Sequence, residues 1–325
     1  MSKAAILIPG RLHPHAESRI REAFEVVSIA RPDAMLLDEP DRERIRGIAV
    51  ASGIRAQSVD GEFLGAFPKL EIVASFGVGY DHLDAARAAS LGIMVSNTPD
   101  VLSEEVADTA VALLINTVRE LPMAEAWLRQ GKWHSVGSYP LTKGTLRGRS
   151  VGIFGMGRIG LAIAKRLEAF GLPISYHNRR KVDGVDYGYH ESLVELARAV
   201  DTLISIAPGG TSTEKAVNAE VLRALGPSGV LINVGRGTTV DEDALIAALA
   251  DGTIMSAGLD VFANEPDVPE ALIEARNASL LPHVASASMH TRTAMADLVA
   301  DNLLAWFRTG RALTPVRETA HITGP

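Results

Sequence analysis

The stretch from Ser150 to Phe170, SVGIFGMGRIGLAIAKRLEAF, constrains the fold of this chain more than any other. Val151, Ile153 and Phe154 form a short apolar run, and Gly155, Gly157 and Gly160 follow in G-x-G-x-x-G spacing. Leu161, Ile163, Ala164, Leu167 and Phe170 then recur at helical period. The pattern predicts a strand, a tight turn and a helix. In such a unit the first glycine makes the turn, the second lets backbone approach a pyrophosphate, and the third lets the helix pack closely on the strand. The N–H groups at the helix start, from Arg158 and Ile159 onward and next to Met156 in the turn, then face phosphate charge.

Around this unit the chain reads as alternating strands and helices. The first part predicts strands over 4–8, 34–37, 47–51, 70–75 and 93–96, with helices over 17–30, 60–67 and 83–90. From residue 151 the alternation restarts. Strands are expected over 151–154, 174–177, 202–206, 230–234, 255–259 and 279–281, with helices over 159–170, 193–199, 219–225, 241–250 and 269–275. Strands separated by helices imply mostly parallel sheets covered on both faces, an α/β architecture. A largely helical stretch over 101–130, interrupted by Pro122, and a loop over 131–146 lie between the two halves. A final helix over 291–307 comes after the second sheet is complete, so its expected place is back on the first domain. The expected division is 1–98 with 288–325 as one domain and 99–287 as the other.

With 325 residues, 47% hydrophobic and 22% charged, the chain can bury two ordinary cores. Its formal net charge of -7 argues against nucleic-acid binding as the main activity, so an anionic ligand must be held by local positive charge. Cysteine is absent, which excludes disulfides and thiol chemistry and permits a cytoplasmic location. The apolar run at the N-terminus is too short for a signal peptide, and no stretch is long enough to span a membrane. His13 and His15 lack a third ligand at metal-binding spacing, so no metal is expected.

The strand after the glycine turn ends in His177-Asn178-Arg179-Arg180, where a ribose-binding carboxylate would ordinarily stand. A carboxylate would repel a 2'-phosphate, whereas Arg179 and Arg180 can meet one with bidentate charge-assisted hydrogen bonds. This favours NADP(H) over NAD(H), with Asn178 beside the pair; the alternative is a solvated turn.

Three polar residues stand at expected strand ends, where a doubly wound sheet holds its ligands. Arg236, in Asn233-Val234-Gly235-Arg236-Gly237, sits between glycines and offers a fork that matches a carboxylate. Glu265 lies just beyond Asp260-Val261-Phe262, and His283 follows Leu281-Pro282. A carboxylate beside a histidine fixes its tautomer, so that the imidazolium can give a proton to a carbonyl oxygen as hydride reaches carbon. Taken singly, each has an ordinary structural role as its alternative.

Together with Phe76-Gly77-Val78-Gly79-Tyr80-Asp81 and Asn97-Thr98-Pro99-Asp100-Val101-Leu102, these segments resemble the D-isomer specific 2-hydroxyacid dehydrogenase family. Within it the chain is most similar to the hydroxypyruvate/glyoxylate and hydroxyphenylpyruvate reductases. The resemblance implies two Rossmann-like domains with doubly wound parallel sheets, a cofactor domain inserted in a flavodoxin-like substrate domain. It further implies that Arg236 binds the substrate carboxylate and polarises the keto oxygen, that His283 is the acid/base and that Glu265 is its partner. The N–H groups of Val78 and Gly79 would hold the substrate carboxylate from the other domain, with the reaction in the cleft between them. The implied cofactor set also takes in Ala207, Pro208, Val234, Gly235, Arg236, Asp260 and His283, and the implied assembly is a homodimer. Two departures stand out. His177 occupies the place of an acidic residue in NAD-preferring relatives, and Ala207-Pro208-Gly209-Gly210-Thr211 replaces the usual Pro-Leu-Thr-Pro wording.

The expected activity is NADPH-dependent reduction of a small 2-keto acid, hydroxypyruvate or glyoxylate, to the D-2-hydroxy acid. A reductase of bulkier arylpyruvates is the alternative within enzymes. A cofactor-sensing interaction protein resembling the family's corepressors is the alternative outside them. Arg292 reads equally as a cleft residue or a first-turn charge, Asp260 reads also as a turn cap, and Trp133, His134 and Tyr139 read as a cover or a subunit anchor.

Overall fold

The computed structural model describes residues 3–51 and 58–324. It divides into two compact units, Met1–Leu102 with Ala287–Pro325, and Ser103–Ser286. The second unit is thus inserted in the chain of the first.

The first unit is built on five parallel strands, β1 (Ala5–Pro9), β2 (Glu25–Ile29), β3 (Ile45–Ala51), β4 (Ile72–Phe76) and β5 (Met94–Ser96). Their order, β2-β1-β3-β4-β5, is the flavodoxin-like one. Helices α1 (Pro14–Ala23), α2 (Glu39–Arg44), α3 (Gly61–Gly65) and α4 (Ala85–Ser90) connect them. The last helix, Met289–Thr309, belongs to this unit and is fastened to α1 by Arg19, which reaches Asp297 at 2.9 Å and Asp301 at 2.8 Å. Ile6, Leu7, Ile48, Ile72 and Val73 are fully buried, as expected of strands covered on both faces.

Two expectations fail in this unit. The helix expected over 17–30 stops at Ala23; Phe24 turns extended, and Val26 and Val27 pair in parallel with Ile6 and Leu7. β-Branched side chains beside an open strand edge favour that pairing over another helical turn. Residues 34–37 are not a strand. Ala34–Leu36 forms a single 3-10 turn in which the Met35 N–H donates to the Asp33 carboxylate, and Met35 is 81% exposed. An apolar run without a strand to pair with has no ladder to join.

The second unit carries seven parallel strands: β6 (Val151–Phe154), β7 (Ile174–His177), β8 (Gly188–Tyr189), β9 (Thr202–Ser205), β10 (Val230–Asn233), β11 (Ser256–Leu259) and β12 (Ala278–Leu280). Six are expected from the sequence. The seventh, β8, spans two residues, too few for any periodic signal, yet it pairs Tyr189 with Tyr176 of β7. The order β12-β11-β10-β9-β6-β7-β8 reverses between β6 and β9, which makes the ends of those strands the switch point where such sheets bind ligands.

Helix α5 (Ser103–Arg119) packs on this sheet, and the chain breaks at Glu120, which adopts φ 51°, before α6 (Leu121–Arg129) and the short α7 (Lys132–Ser135). Pro122 in the first turn of α6 is the reason one continuous helix is not formed. Helices α8 (Arg158–Glu168), α9 (Leu193–Ala199), α10 (Ala219–Leu225), α11 (Glu242–Ala250) and α12 (Glu270–Glu274) complete the layers. Every residue of β6, β9, β10 and β11 is buried. At about 1.5–3 kcal/mol for each fully buried Leu, Ile or Val side chain, these four strands fix the frame on which the loops sit.

Candidate active site

The glycine turn opens the site. Gly155 adopts φ 109°, and a Cβ there would lie 2.8 Å from the Ala207 nitrogen, so the β6 and β9 loops touch backbone to backbone. A Cβ on Gly160 would lie 2.3 Å from the Gly155 carbonyl oxygen, so α8 can start only if that position is glycine. Gly157 differs: a Cβ there would meet no atom within 4 Å. Beside it the first N–H groups of α8, from Arg158 and Ile159, have no acceptor within the helix. Open space in front of helix N–H donors fits a pyrophosphate.

The turn after β7 is tied to the glycine turn through Asn178. Arg179 and Arg180 are exposed and make no ion pair or hydrogen bond among the described residues. His177, buried in part, places Nδ1 2.9 Å from the His190 carbonyl and stacks on Phe154, so its ring serves the sheet.

Three members of the cofactor set have work within the fold. The Met156 side chain is buried, and its N–H donates to Oδ1 of Asn178 at 2.7 Å, so Asn178 ties the glycine turn to the β7 turn. Asp260 is fully buried and its two carboxylate oxygens accept from Val284 N (2.7 Å) and Ala285 N (2.9 Å). The structure gives Asp260 the turn-holding role. Burial pushes its carboxyl above the ordinary range, against the two N–H donors and the charge of His283.

Beyond β10, Asn233 is buried and closes the turn that presents Arg236. Its Oδ1 accepts from Gly235 N at 3.1 Å and its Nδ2 donates to the Arg236 carbonyl at 2.9 Å, while Thr239 Oγ1 donates to the same carbonyl at 2.7 Å. A Cβ on Gly237 would fall 1.8 Å from the Phe262 carbonyl carbon, so this turn lies flat against the loop that carries Glu265. Glu242 of α11 accepts from Ala263 N at 2.8 Å and steadies that loop from the other side. Sequence reasoning passed over Glu242 and Thr239, because neither lies beside a motif residue in the chain.

Glu265 and His283 meet. His283 Nδ1 lies 2.7 Å from Glu265 Oε2, with the side chains 24% and 13% exposed respectively, and Oε1 of Glu265 accepts from Phe262 N at 3.0 Å. Burial raises the Glu265 carboxyl, but the His283 hydrogen bond, the Phe262 N–H and the charges of His283 and Arg236 outweigh it, and the group ends below its ordinary range. A carboxylate so held orients the ring and leaves Nε2 for other work. His283 adopts φ 53°, a left-handed conformation costly for a non-glycine residue, and its N–H donates to the Asp260 carbonyl at 2.8 Å. That backbone turn is what aims the ring at Glu265.

The family description "D-isomer specific 2-hydroxyacid dehydrogenase, NAD binding domain" matches residues 111–285, more than half the chain and all three of these loops. The chain belongs to this family. A D-2-hydroxyacid dehydrogenase of this kind is an oxidoreductase on a nucleotide-binding fold, which accounts for the glycine turn. Hydroxyphenylpyruvate reductase of Plectranthus scutellarioides is 47% identical over 274 residues, 84% of this chain and 86% of that one. Glyoxylate/hydroxypyruvate reductase A HPR2 of Arabidopsis thaliana is 42% identical over 317 residues, 97% of this chain and 100% of its own. Among solved structures, an NADPH-dependent glyoxylate/hydroxypyruvate reductase from Sinorhizobium meliloti, in complex with NADP and malonate, is 60% identical. It superposes with a TM-score of 0.95 over 100% of this dehydrogenase and 99% of that chain.

In the first unit of the dehydrogenase, Gly77-Val78-Gly79 follows β4 as a turn fastened to the β5 end. Gly77 N donates to Thr98 Oγ1 at 3.0 Å and Asn97 Nδ2 to the Val78 carbonyl at 2.8 Å. The N–H groups of Val78 and Gly79 have no acceptor among the described residues. Arg292 lies over the Phe76 ring, and the His13 ring stacks on it. Among the described residues no helix is long and apolar enough to cross a membrane, and no group of three or more candidate ligands could hold a metal ion.

Proposed function

We propose that this dehydrogenase reduces a small 2-keto acid, hydroxypyruvate or glyoxylate, to the D-2-hydroxy acid at the expense of NADPH. The observation that carries the reading is the His283–Glu265 pair, 2.7 Å apart on loops locked to the turn of Arg236. The substrate carboxylate is received by the Arg236 fork. Arg236 also polarises the keto oxygen, and His283 delivers a proton to that oxygen from Nε2. Glu265 stabilises the imidazolium before transfer and keeps Nδ1 occupied, so that proton can leave only from the substrate side. The nicotinamide supplies the hydride when bound. Gly155 to Ile159 would hold its pyrophosphate, with Ala207, Pro208, Val234 and Gly235 on adjoining loops. Arg179 and Arg180 would take the 2'-phosphate, a fit supported by their exposure and their freedom from other partners.

Titrating NADPH and NADH separately against saturating hydroxypyruvate tests this. A strong kcat/KM preference for NADPH is expected; equal or better use of NADH would remove the arginine argument and leave the catalytic trio. The 47% identity to a hydroxyphenylpyruvate reductase supports a second reading, a reductase of bulkier arylpyruvates. Comparing hydroxypyruvate with phenylpyruvate by kcat/KM separates the two, because an oversize side chain either finds a pocket or loses orientation.

The homodimer also belongs to this reading. Leu128, Trp133, Val136 and Leu141 are 54–99% exposed within one short segment, more apolar surface than scattered surface residues supply. Light scattering at micromolar protein should give twice the 34.5 kDa chain mass.

A further inference from the structure

The two-residue strand β8 has an effect beyond sheet geometry. Tyr176 of β7 is fully buried, and its hydroxyl accepts from Val182 N at 3.0 Å. Tyr189 of β8 packs on it with ring centroids 5.4 Å apart, and its hydroxyl donates to the Asn178 carbonyl at 3.3 Å. The turn between those two backbone groups is Arg179-Arg180-Lys181, all three exposed. Its start is held a second time, where Asn178 Oδ1 accepts from Met156 N of the glycine turn at 2.7 Å.

We propose that Tyr176 and Tyr189 are specificity-determining positioning residues, a clamp that holds the Arg179-Arg180 turn in register with the glycine turn for a 2'-phosphorylated adenosine ribose. This rests on the reading that the arginines take that phosphate. An exposed arginine on a loose turn must be ordered when it binds, and that cost comes off the affinity. A turn bonded at both ends meets less of it. The two hydroxyls bond backbone only on either side of the Arg179-Arg180-Lys181 turn, while the side chain of Asn178 keeps its own bond to the glycine turn, so their loss is felt by the phosphorylated ligand.

The test is calorimetry of Tyr189→Phe and Tyr176→Phe with 2',5'-ADP and with 5'-ADP, beside steady-state kinetics with NADPH and NADH. Each substitution removes one hydroxyl and keeps the ring packing, and each should weaken 2',5'-ADP about three- to tenfold while 5'-ADP is unchanged, the value of one hydrogen bond. KM for NADPH should rise by the same factor with kcat unaltered. Equal weakening of both ligands would make the tyrosines merely structural and overturn the clamp, and so would no weakening of either. Should Tyr176→Phe fail to fold, the half-buried Tyr189→Phe carries the test. Wild-type protein that binds both ligands alike would overturn the 2'-phosphate reading and the clamp with it. A wild-type preference abolished by Arg179→Ala with Arg180→Ala, yet kept by both tyrosine variants, would overturn the clamp alone.

Discussion

In the proposed reaction His283, Glu265 and Arg236 divide the labour by charge. His283→Ala removes the proposed proton donor and is expected to cut kcat for keto-acid reduction by about 10²–10⁴ with KM for cofactor unchanged, read by steady-state kinetics. Glu265→Gln keeps a hydrogen-bonding side chain but not the charge, so it should cost less than the histidine variant. The reductive direction needs the imidazolium and the oxidative direction the neutral ring. Because Glu265 is held below the ordinary carboxylate range, the pair survives to more acid pH than a free carboxylate would allow, and Glu265→Gln should abolish the fall in kcat/KM that wild type shows as pH drops through that depressed value. Arg236→Lys keeps the charge and loses the fork, and is expected to raise KM for the keto acid with a smaller fall in kcat.

At the scale of the element, the site is a set of loops pressed together by glycine backbone. Gly237→Ala must push the Arg236 turn off Phe262, since the added Cβ would stand 1.8 Å from a carbonyl carbon. Its expected result is a folded protein with activity lost to the level of an Arg236 variant, checked by circular dichroism beside turnover. Asn233→Ala leaves Gly235 N without its buried acceptor and the Arg236 carbonyl with Thr239 as its remaining partner; about 1–3 kcal/mol of stability should go, measured by urea unfolding. The glycine motif, Pro122 and the strands β6, β9 and β10 were legible in the sequence because a few neighbouring residues dictate them. β2 and β8 were not. Val26 and Val27 sit in a segment of helical composition, and Tyr189 in one with no pattern at all, and both become strands only because an open sheet edge accepts them.

For the molecule as a whole, two carboxylates link stability to pH with opposite signs. Glu265 has a folded pKa below its unfolded value, so the stability it contributes is present above the ordinary carboxylate range and is lost as pH falls through the depressed value. Asp260 has a folded pKa above its unfolded value, so it opposes folding at neutral pH and this opposition is relieved as pH falls toward that raised value. Thermal unfolding between neutral and mildly acid pH should therefore show a shallower loss in wild type than in Asp260→Asn, whose amide also sets an N–H against Val284 N or Ala285 N. The sequence by itself determined the two α/β sheets, the insertion of one in the other's chain and the glycine turn, and it singled out Arg236, Glu265 and His283 as candidates for the chemistry. Each of these is written in local periodicity or in the residue type a turn requires. Only the tertiary structure decided that Glu265 and His283 touch, that Asp260 holds their turn, and that two tyrosines flank the arginine turn. The parallel register brings Asn233 beside Leu259 and Leu259 beside Leu280, so loops far apart in the chain leave the sheet at one edge. Such contacts depend on how strands align, and no window of sequence contains that alignment.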